Sequence, residues 1–317
     1  MNRDRKFFAP GRFHHTMIVT SQPKLWQQGF LGLSNILKKA VSRLISLGGY
    51  EIRKKRSCGA DGHPVEELSG IPYKDFLSLY FKSRSLSDFF FIQIGAHNGV
   101  SNALDFLHEF VSHLKLSGLL VEPQADVFHE LKENYKRCQT VHFENSAIAC
   151  DTGLKQLYTI KKELDFLQYA NQAASFDSNH LTRLLRHHLR NEASVDVRKK
   201  FEALGMRVDE CVEAVSVQAH TFQSLLEKHG ILRYDLLQID TEGFDYEVIK
   251  MAQLDKYRPT LVNYEHEYMS EKEKQECWSY LTSLNYHIFK HNVDTTAYLP
   301  ESFGRESLAR VAVAGSY

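Results

Sequence analysis

The chain has 317 residues, of which 43% are hydrophobic and 25% are charged. These values are ordinary for a globular protein, and they exclude a disordered chain, a collagen-like repeat and a small disulfide scaffold. The formal net charge is zero, but residues 1–60 contain 12 Lys or Arg and only two Asp or Glu. The rest of the chain is therefore acidic. This argues against nucleic acid as a partner of the main body, because a phosphate backbone needs a positive surface.

Cysteine usage and hydropathy indicate the cellular compartment. The five cysteines include no Cys-x-x-Cys pair, and their odd number leaves one unpaired. This pattern favours a reducing compartment and disfavours structural zinc. No apolar run reaches the roughly 18 residues of a membrane span, and the N-terminus has no apolar signal segment. We therefore expect a cytoplasmic protein.

The basic N-terminal region predicts an amphipathic helix at residues 25–47, where apolar side chains recur at helical spacing. Such a helix suits peripheral contact with an anionic membrane. It also suits packing on its own domain or on a second copy in a homodimer. Gly and Pro in residues 57–72 predict a linker. The chain therefore divides into a basic appendage, 1–72, and a domain, 73–317.

From residue 73, short apolar runs alternate with longer helical stretches, which predicts a parallel sheet with crossover helices. Residues 154–160 predict an antiparallel addition to it. Residues 163–211 break the alternation and predict an inserted helical segment that covers the ligand crevice as a lid. The predicted strands are 89–94, 119–122, about 140–144, 212–217, 234–239, 260–264, and two closing strands near 286–290 and 309–314.

The run Gly95-Ala96-His97-Asn98-Gly99 follows the first strand and precedes a helix. Glycine lets the backbone approach a ligand at the place where open α/β sheets bind one. Glu122 ends the next strand, where a carboxylate can accept both ribose hydroxyls of an adenosine. Two simpler interpretations stay open: a tight turn at the glycines, and a helix-capping neighbour before Pro123 for Glu122.

Asp240 ends another apolar strand, and Gly243 opens the helix that follows. If the strand order reverses between the first and fourth strands, Asp240 faces Gly95 across the ligand crevice. Asp240 is also a suitable N-cap for the next helix.

Four motifs follow one another along the chain, beginning at Ile94, Leu120, Asn145 and Leu237. Together they resemble the FkbM-type S-adenosylmethionine-dependent methyltransferases, and the resemblance covers roughly residues 86–292. It implies a class I methyltransferase (Rossmann-like) α/β fold with a seven-stranded sheet of order 3-2-1-4-5-7-6, the last strand antiparallel. It also implies methyl transfer to a hydroxyl of a sugar, glycoconjugate, polyketide or related small-molecule or glycan acceptor. The motifs are Ile94-Gly95-Ala96-His97-Asn98-Gly99, Leu120-Val121-Glu122-Pro123, Asn145-Ser146-Ala147-Ile148-Ala149 and Leu237-Gln238-Ile239-Asp240-Thr241-Glu242-Gly243-Phe244-Asp245.

The resemblance implies a set of residues that bind S-adenosylmethionine. Two positions depart from the family pattern. Gln93 stands where an acidic residue often meets the cofactor's amino group, and an amide pairs with an ammonium less strongly than a carboxylate does. Thr241 replaces a frequent Val. The implied cofactor-binding residues are Gln93, Gly95, Ala96, His97, Asn98 and Gly99 near the methionine part, Glu122 and Pro123 near the ribose, Asn145, Ser146 and Ala147 near the adenine, and Asp240 on the cofactor or acceptor side.

O-methylation requires aligned reactants, exclusion of water and removal of a proton. The candidate bases are His97, His220, Asp240, Glu265 and His266. Strand alternation turns Glu265 and His266 to opposite faces, so only one of them can face the site. We favour His266 or His220 as the catalytic base, with Asp240 as a further candidate.

Two other functions stay open. A metal-dependent methyltransferase would use Asp240, Glu242 and His266 as ligands of a divalent cation that binds a diol, although we expect no metal. A non-catalytic module would keep the cofactor fold and attach to a membrane or protein partner through its N-terminus.

The inserted segment contains a helix rich in arginine and histidine. We expect Arg183, Arg186 and either His187 or His188 to contact an anionic or glycosylated acceptor. The alternative is a solvated, charged helix surface without a ligand.

Overall fold

A computed structural model describes residues 53–58, 64–69, 72–100 and 106–302. The helix predicted at 25–47 and the strand predicted at 309–314 lie outside these ranges. Within them, no helix is both long and apolar enough to cross a lipid bilayer.

The described chain contains 13 strands and nine α-helices. The strands are β1 (Arg53–Cys58), β2 (Pro64–Ser69), β3 (Phe90–Ile94), β4 (Ser117–Val121), β5 (Val141–Glu144), β6 (Ala147–Ile148), β7 (Gly153–Ile160), β8 (Ala174–Ser175), β9 (Val212–His220), β10 (Leu236–Ile239), β11 (Leu261–Glu265), β12 (His287–His291) and β13 (Asp294–Tyr298). The helices are α1 (Tyr73–Lys82), α2 (Leu107–Leu114), α3 (Ala125–Asn134), α4 (Ser178–His187), α5 (Val195–Leu204), α6 (Phe222–Lys228), α7 (Asp245–Met251), α8 (Leu254–Tyr257) and α9 (Glu271–Ser283).

Seven strands form the central sheet in the order β12-β13-β11-β10-β3-β4-β5. Numbered along the chain and read from the β5 edge, this is the predicted order 3-2-1-4-5-7-6. β13 runs antiparallel to β11 and β12, whereas β10, β11, β3, β4 and β5 pair in parallel. The class I methyltransferase topology is confirmed.

Helices cover both faces of this sheet, which explains why its inner strands are almost continuously apolar. Alternate side chains of β3 enter different hydrophobic clusters: Phe91 packs with α1, α2 and α3, and Ile92 packs with α6, α7 and α9. All four residues of β10 are buried. The two cores fix the sheet on both sides and leave its strand ends to form a site.

Within the described residues, the strand that closes the sheet is β13, whereas the strand predicted near 309–314 lies outside them. A turn at Asn292 and Val293 connects β13 directly to β12, and Asn292 has a φ of 52°. The polar residues Asp294, Thr295 and Thr296 concealed this strand from an interpretation based on apolar runs. The polar side chain of Thr296 can be buried because its hydroxyl donates a hydrogen bond to Asn263 Oδ1 over 2.7 Å.

A second sheet of four strands has the order β6-β9-β7-β8. All eight residues of β7 pair antiparallel with residues 212–219 of β9, which confirms the antiparallel strand predicted at 154–160. The strand predicted at 212–217 continues to His220 and belongs to this sheet. The inserted segment between β7 and β9 is mainly helical, as predicted, and has a hydrophobic cluster of its own.

The stretch predicted as a linker at 57–72 contains β2, which forms an antiparallel hairpin with β1. The register places Lys55 opposite Glu67 and Arg56 opposite Glu66. The stretch predicted as a linker therefore contains a strand.

The ends of β3, β4 and β10 meet at Gly95. Asp240 N donates to Ile94 O over 2.9 Å, and both Gly95 N and Ala96 N donate to Val121 O over 3.0 Å. Gly95 has a φ of +76°, and a Cβ atom there would overlap the carbonyl oxygen of Asp240. Only glycine satisfies both the conformation and the space.

Replacing Gly95 with Ala should lower the free energy of unfolding by about 2 to 4 kcal/mol, because strain from the positive φ and steric overlap combine. The measurement is equilibrium denaturation by urea. Gly205→Ala is a matched control, since Gly205 also has a positive φ (+62°) but no neighbour within 4 Å of an added Cβ. The control should lose about 1 kcal/mol. Equal losses in the two variants would contradict the close approach at Gly95.

Candidate functional site

A cavity of about 590 Å³ lies at the carboxyl ends of β3, β4, β10 and β11, where open α/β sheets bind ligands. Ten of the predicted cofactor residues line it, and two, Asn98 and Asn145, do not. Those that line it are Gln93, Gly95, Ala96, His97, Gly99, Glu122, Pro123, Ser146, Ala147 and Asp240.

The glycine turn forms one wall of the cavity. Gly95, His97 and Gly99 all have positive φ angles, and a Cβ at Gly99 would overlap the ring of Tyr135. Burial lowers the pKa of His97, which favours its uncharged form. The turn therefore presents backbone and a neutral imidazole, a surface that a ligand can approach closely.

Glu122 connects this turn to the start of α3. Its Oε2 accepts from His97 N over 2.9 Å, and its Oε1 accepts from Gln124 N over 2.8 Å. The residue is only 3% exposed. Burial raises the pKa of the Glu122 carboxyl to about 7, because lost hydration outweighs the two backbone donors. Glu122 therefore changes charge near neutral pH at the edge of the cavity.

The Asn145-Ser146-Ala147 motif supports the next part of the wall. Asn145 lies outside the lining, and its Nδ2 donates to the carbonyl oxygens of Glu122 and Pro123 over 2.8 and 3.1 Å. Asn145 thus holds the turn after β4. Ser146 is fully buried, and its Oγ has no hydrogen-bond partner among the described residues.

Asn98 also lies outside the cavity lining. Its Nδ2 donates to Glu130 Oε2 over 3.3 Å, and its Oδ1 accepts from Val100 N over 3.2 Å. These contacts hold the outer side of the glycine turn against α3, so Asn98 has a structural role.

Asp245 connects the ends of β10 and β11. Its Oδ2 accepts from the amide and the hydroxyl of Thr241 over 3.3 and 2.9 Å, and its Oδ1 accepts from Glu265 N over 3.1 Å. Asp245 is fully buried, which raises its pKa to about 6 in spite of these bonds. The departure at Thr241 therefore has a structural role, since Val could not donate a hydroxyl.

Four carboxyl groups form an acidic rim of the cavity. Asp240, Glu242, Glu265 and Asp294 line the cavity. Burial, together with the charges of Asp240 and Glu242, raises the pKa of Glu265 well above its ordinary range. Oε2 of Glu265 is buried and has no hydrogen-bond partner in the described part of the chain. Glu265 is therefore a carboxyl group with a strong affinity for a proton.

Neither favoured histidine lines the cavity. His266 Nδ1 lies 3.0 Å from Thr295 Oγ1, and burial with nearby lysines lowers its pKa to about 4. His220 lies 3.6 Å from Glu144, which also pairs with Lys228. The adjacent positions 265 and 266 do face opposite ways, and Glu265 is the one that faces the cavity.

A row of polar side chains crosses the floor of the cavity. Gln93, Gln238 and Asn263 occupy matching positions on β3, β10 and β11, and Thr296 continues the row on β13. Sequence reasoning noticed Gln93 alone. Gln238 and Asn263 could also have been found from the sequence, because each of these apolar strands carries one amide side chain two residues before the turn that borders the cavity.

The inserted segment forms the remaining wall. The rings of Phe176 and Phe244 lie 5.4 Å apart, and those of His180 and Tyr268 lie 4.6 Å apart. Arg183, Leu184, His187 and His188 also line the cavity, whereas Arg186 lines a separate surface hollow. The insertion therefore lies over the carboxyl end of β10.

Among the described residues, no group of three or more His, Cys, Asp or Glu side chains is arranged to hold a metal ion. Asp240 and Glu242 line the cavity without His266.

The raised pKa of Glu122 predicts a pH-dependent stability. The folded protein favours the protonated carboxyl, so its stabilising contribution is complete below pH 4.5 and is lost as the pH rises through 7. Between pH 6 and pH 8 the wild type should lose about 1 kcal/mol of unfolding free energy that Glu122→Gln does not lose. Urea denaturation at both pH values measures it. The exposed Glu133→Gln variant should keep the wild-type trend, and a Glu122→Gln protein with that trend would refute the assignment.

Comparison with known proteins gave one family match. The methyltransferase FkbM domain family matches residues 93–288. Comparison with curated proteins gave no match. The METTL16 methyltransferase domain aligns with 72% of this chain and 66% of that chain, just under two thirds, at 10% identity and a TM-score of 0.35.

Two further solved structures align over more of both chains. The N-terminal domain of human METTL16 in complex with SAH covers 83% of this chain and 81% of that chain, at 10% identity and a TM-score of 0.33. A human methyltransferase 10 domain containing protein covers 83% and 96%, at 9% identity and a TM-score of 0.34.

The family match extends over more than half of the chain and includes the glycine turn, Glu122 and Asp240. The glycine positions leave room for a close ligand, and Glu122 and Ser146 line the same cavity. The chain belongs to the FkbM methyltransferase family, and its cofactor is S-adenosylmethionine.

Proposed function

We propose that this protein transfers a methyl group from S-adenosylmethionine to a hydroxyl oxygen of a sugar, glycoconjugate, polyketide or related metabolite. One observation carries the proposal: a single cavity is lined both by the cofactor residues around Gly95 and Glu122 and by the acidic rim around Glu265. When bound, the cofactor supplies a methyl group that its sulfonium already activates. The protein must then hold the acceptor and take its proton.

The cofactor half of the cavity suits an adenosine. Ionised Glu122 can accept hydrogens from both ribose hydroxyls while its oxygens keep their backbone donors, because each carboxylate oxygen has two lone pairs. The hydroxyl oxygen of Ser146 is available for a hydrogen bond with the adenine ring. Gln93 and Gln238 present amides beside Asp240, so the methionine end would meet amide oxygens with one carboxylate.

Glu265 is the proposed proton acceptor. When the acceptor oxygen takes the methyl group, the bond between that methyl and the sulfur of the donor would break and S-adenosylhomocysteine would leave. The proton of the acceptor hydroxyl would move to Glu265 Oε2. Glu265 ionises more readily beside a positive charge, and it binds a proton more firmly once that charge has gone. Glu265 would therefore take up the proton as the positive charge of the cofactor is lost.

A non-catalytic binding module needs no proton acceptor beside its cofactor. A buried carboxyl without a partner lowers stability, and such a group in the cavity favours an enzyme over a passive module.

Calorimetric titration with S-adenosylmethionine and S-adenosylhomocysteine tests the cofactor half. Wild type should bind with micromolar affinity, roughly −8 kcal/mol, and Glu122→Gln should bind at least about ten-fold more weakly, since an amide accepts hydrogens at only one atom. Wild-type binding should tighten by up to about ten-fold from pH 6 to pH 8 as Glu122 ionises. Glu133→Gln should match the wild type, and absence of cofactor binding to the folded wild type would refute the proposal.

Substitution of Glu265 tests the chemical step. Glu265→Gln should lower the transfer rate by about 10² to 10⁴-fold, and its affinity for S-adenosylhomocysteine should stay within two-fold of the wild type. Release of S-adenosylhomocysteine with an acceptor of the wild type measures the rate. Glu267→Gln, at an exposed neighbour, shows whether any lost charge at the cavity has the same effect. Undiminished transfer by Glu265→Gln would exclude it as the base.

A further inference from the structure

Five buried polar atoms that line the cavity have no hydrogen-bond partner within the described ranges. A buried polar atom left unpaired costs free energy, and native proteins contain few of them. Their presence in one cavity indicates a ligand that satisfies them. They are Ser146 Oγ on the cofactor side, and His180 Nε2, His188 Nε2, Glu242 Oε2 and Glu265 Oε2 beyond it.

Helix α4 supplies one wall of this second group. Asp177 begins the helix, since its Oδ1 accepts from Asn179 N over 2.9 Å. His180, Leu184 and His188 follow at intervals of four residues, so they share one helix face. His180 is 8% exposed and His188 is 4% exposed. Both imidazoles are therefore withdrawn from bulk water while they line the cavity.

The contacts of His188 define what it offers to a ligand. At the end of α4 the chain forms a π turn over His188–Glu192, and His188 Nδ1 lies 3.0 Å from Glu192 Oε2. A carboxylate only accepts, so Nδ1 carries the hydrogen of this bond. In the neutral imidazole, Nε2 then has a lone pair for a hydrogen donor in the cavity.

Carboxyl groups of the acidic rim lie beside this helix. Glu242 Oε2 and His180 Nε2 lie 3.8 Å apart, which is too far for a direct hydrogen bond. Glu265 Oε2 accepts a hydrogen when it is ionised and donates one when it is protonated. A hydroxyl group suits every one of these atoms, because it both donates and accepts.

We propose that the acceptor is a polyhydroxyl molecule of the sugar type, and that His180 and His188 bind its hydroxyl groups. This inference rests on the proposed methyl transfer and narrows its acceptor. An alcohol with a single hydroxyl, such as a hydrophobic polyketide alcohol or a phenol, satisfies one atom and leaves the others buried and unpaired. Sites built for hydroxyl hydrogen bonds reject analogues that lack them.

Saturation-transfer NMR tests the ligand class. It is done on the full chain with an excess of S-adenosylhomocysteine that fills the cofactor site. The probes are D-glucose, D-galactose and myo-inositol, compared with cyclohexanol and phenol as six-membered rings with one hydroxyl. The polyols should give signals and the single alcohols should not. Absence of all polyol signals, or equal or stronger signals from cyclohexanol or phenol, would overturn the inference.

Titration of the same samples with S-adenosylhomocysteine separates the two proposals. A folded protein that does not bind this product contradicts the proposed function itself. Binding of the product without binding of any polyol overturns only the assignment of the acceptor.

The variant His188→Leu distinguishes a binding role from a structural one. It should weaken polyol binding at least about ten-fold and leave the product affinity unchanged. It should also raise the Tm of the ligand-free protein, because an unpaired buried nitrogen is removed. His188→Gln, which keeps a polar group, should retain part of the polyol affinity. The exposed His129→Leu variant, on α3, should change none of these values.

A lower Tm together with unchanged polyol binding in His188→Leu would show that His188 only supports the fold, and it would overturn its assignment to the acceptor. If His188→Leu does not fold, the same comparison is made with His188→Gln, for which unchanged polyol affinity has the same meaning.

Discussion

The contact between the Gly95 backbone and the carbonyl group of Asp240 is the constraint on which the rest of the structure depends. Strand order reverses between β3 and β10, so their two chains diverge to opposite sides of the sheet and leave a crevice. A side chain at Gly95 would push these strand ends apart. With glycine there, the amides of Gly95 and Ala96 reach Val121 O, and Glu122 is brought to the glycine turn.

The topology followed from the sequence because parallel strands covered on both faces are continuous apolar runs, and because four motifs occur in a fixed order. The position of β13 could not be predicted from the sequence. Thr295 and Thr296 are polar but buried, because their hydroxyl groups hydrogen-bond to residues that are distant in the sequence. Ten of the twelve predicted cofactor residues line the cavity because they are contiguous with strand ends. Which of Glu265 and His266 faces the cavity was not predictable, because local alternation separates the two side chains but only the packed sheet determines which face is inside.

Carboxyl groups at and beside the cavity show a conflict between stability and chemistry. Burial raises the pKa values of Glu122, Asp245 and Glu265, and nearby like charges oppose the ionisation of Glu265 further. Structural carboxyl groups usually gain partners, as Asp245 does with three hydrogen-bond donors. Glu265 lacks such a partner at Oε2 among the described residues. Five buried polar atoms without a partner within the described ranges line this one cavity, as expected for a functional region.

The separate hydrophobic cluster of the inserted segment has a consequence for how this wall of the cavity can change. Leu164, Leu181 and Leu185 pack with one another and with their neighbours in the insertion, and not with the two clusters on the central sheet. The packing of the central sheet therefore depends little on these side chains. During evolution, substitutions in the insertion can change which molecules the cavity admits while the sheet keeps its own core.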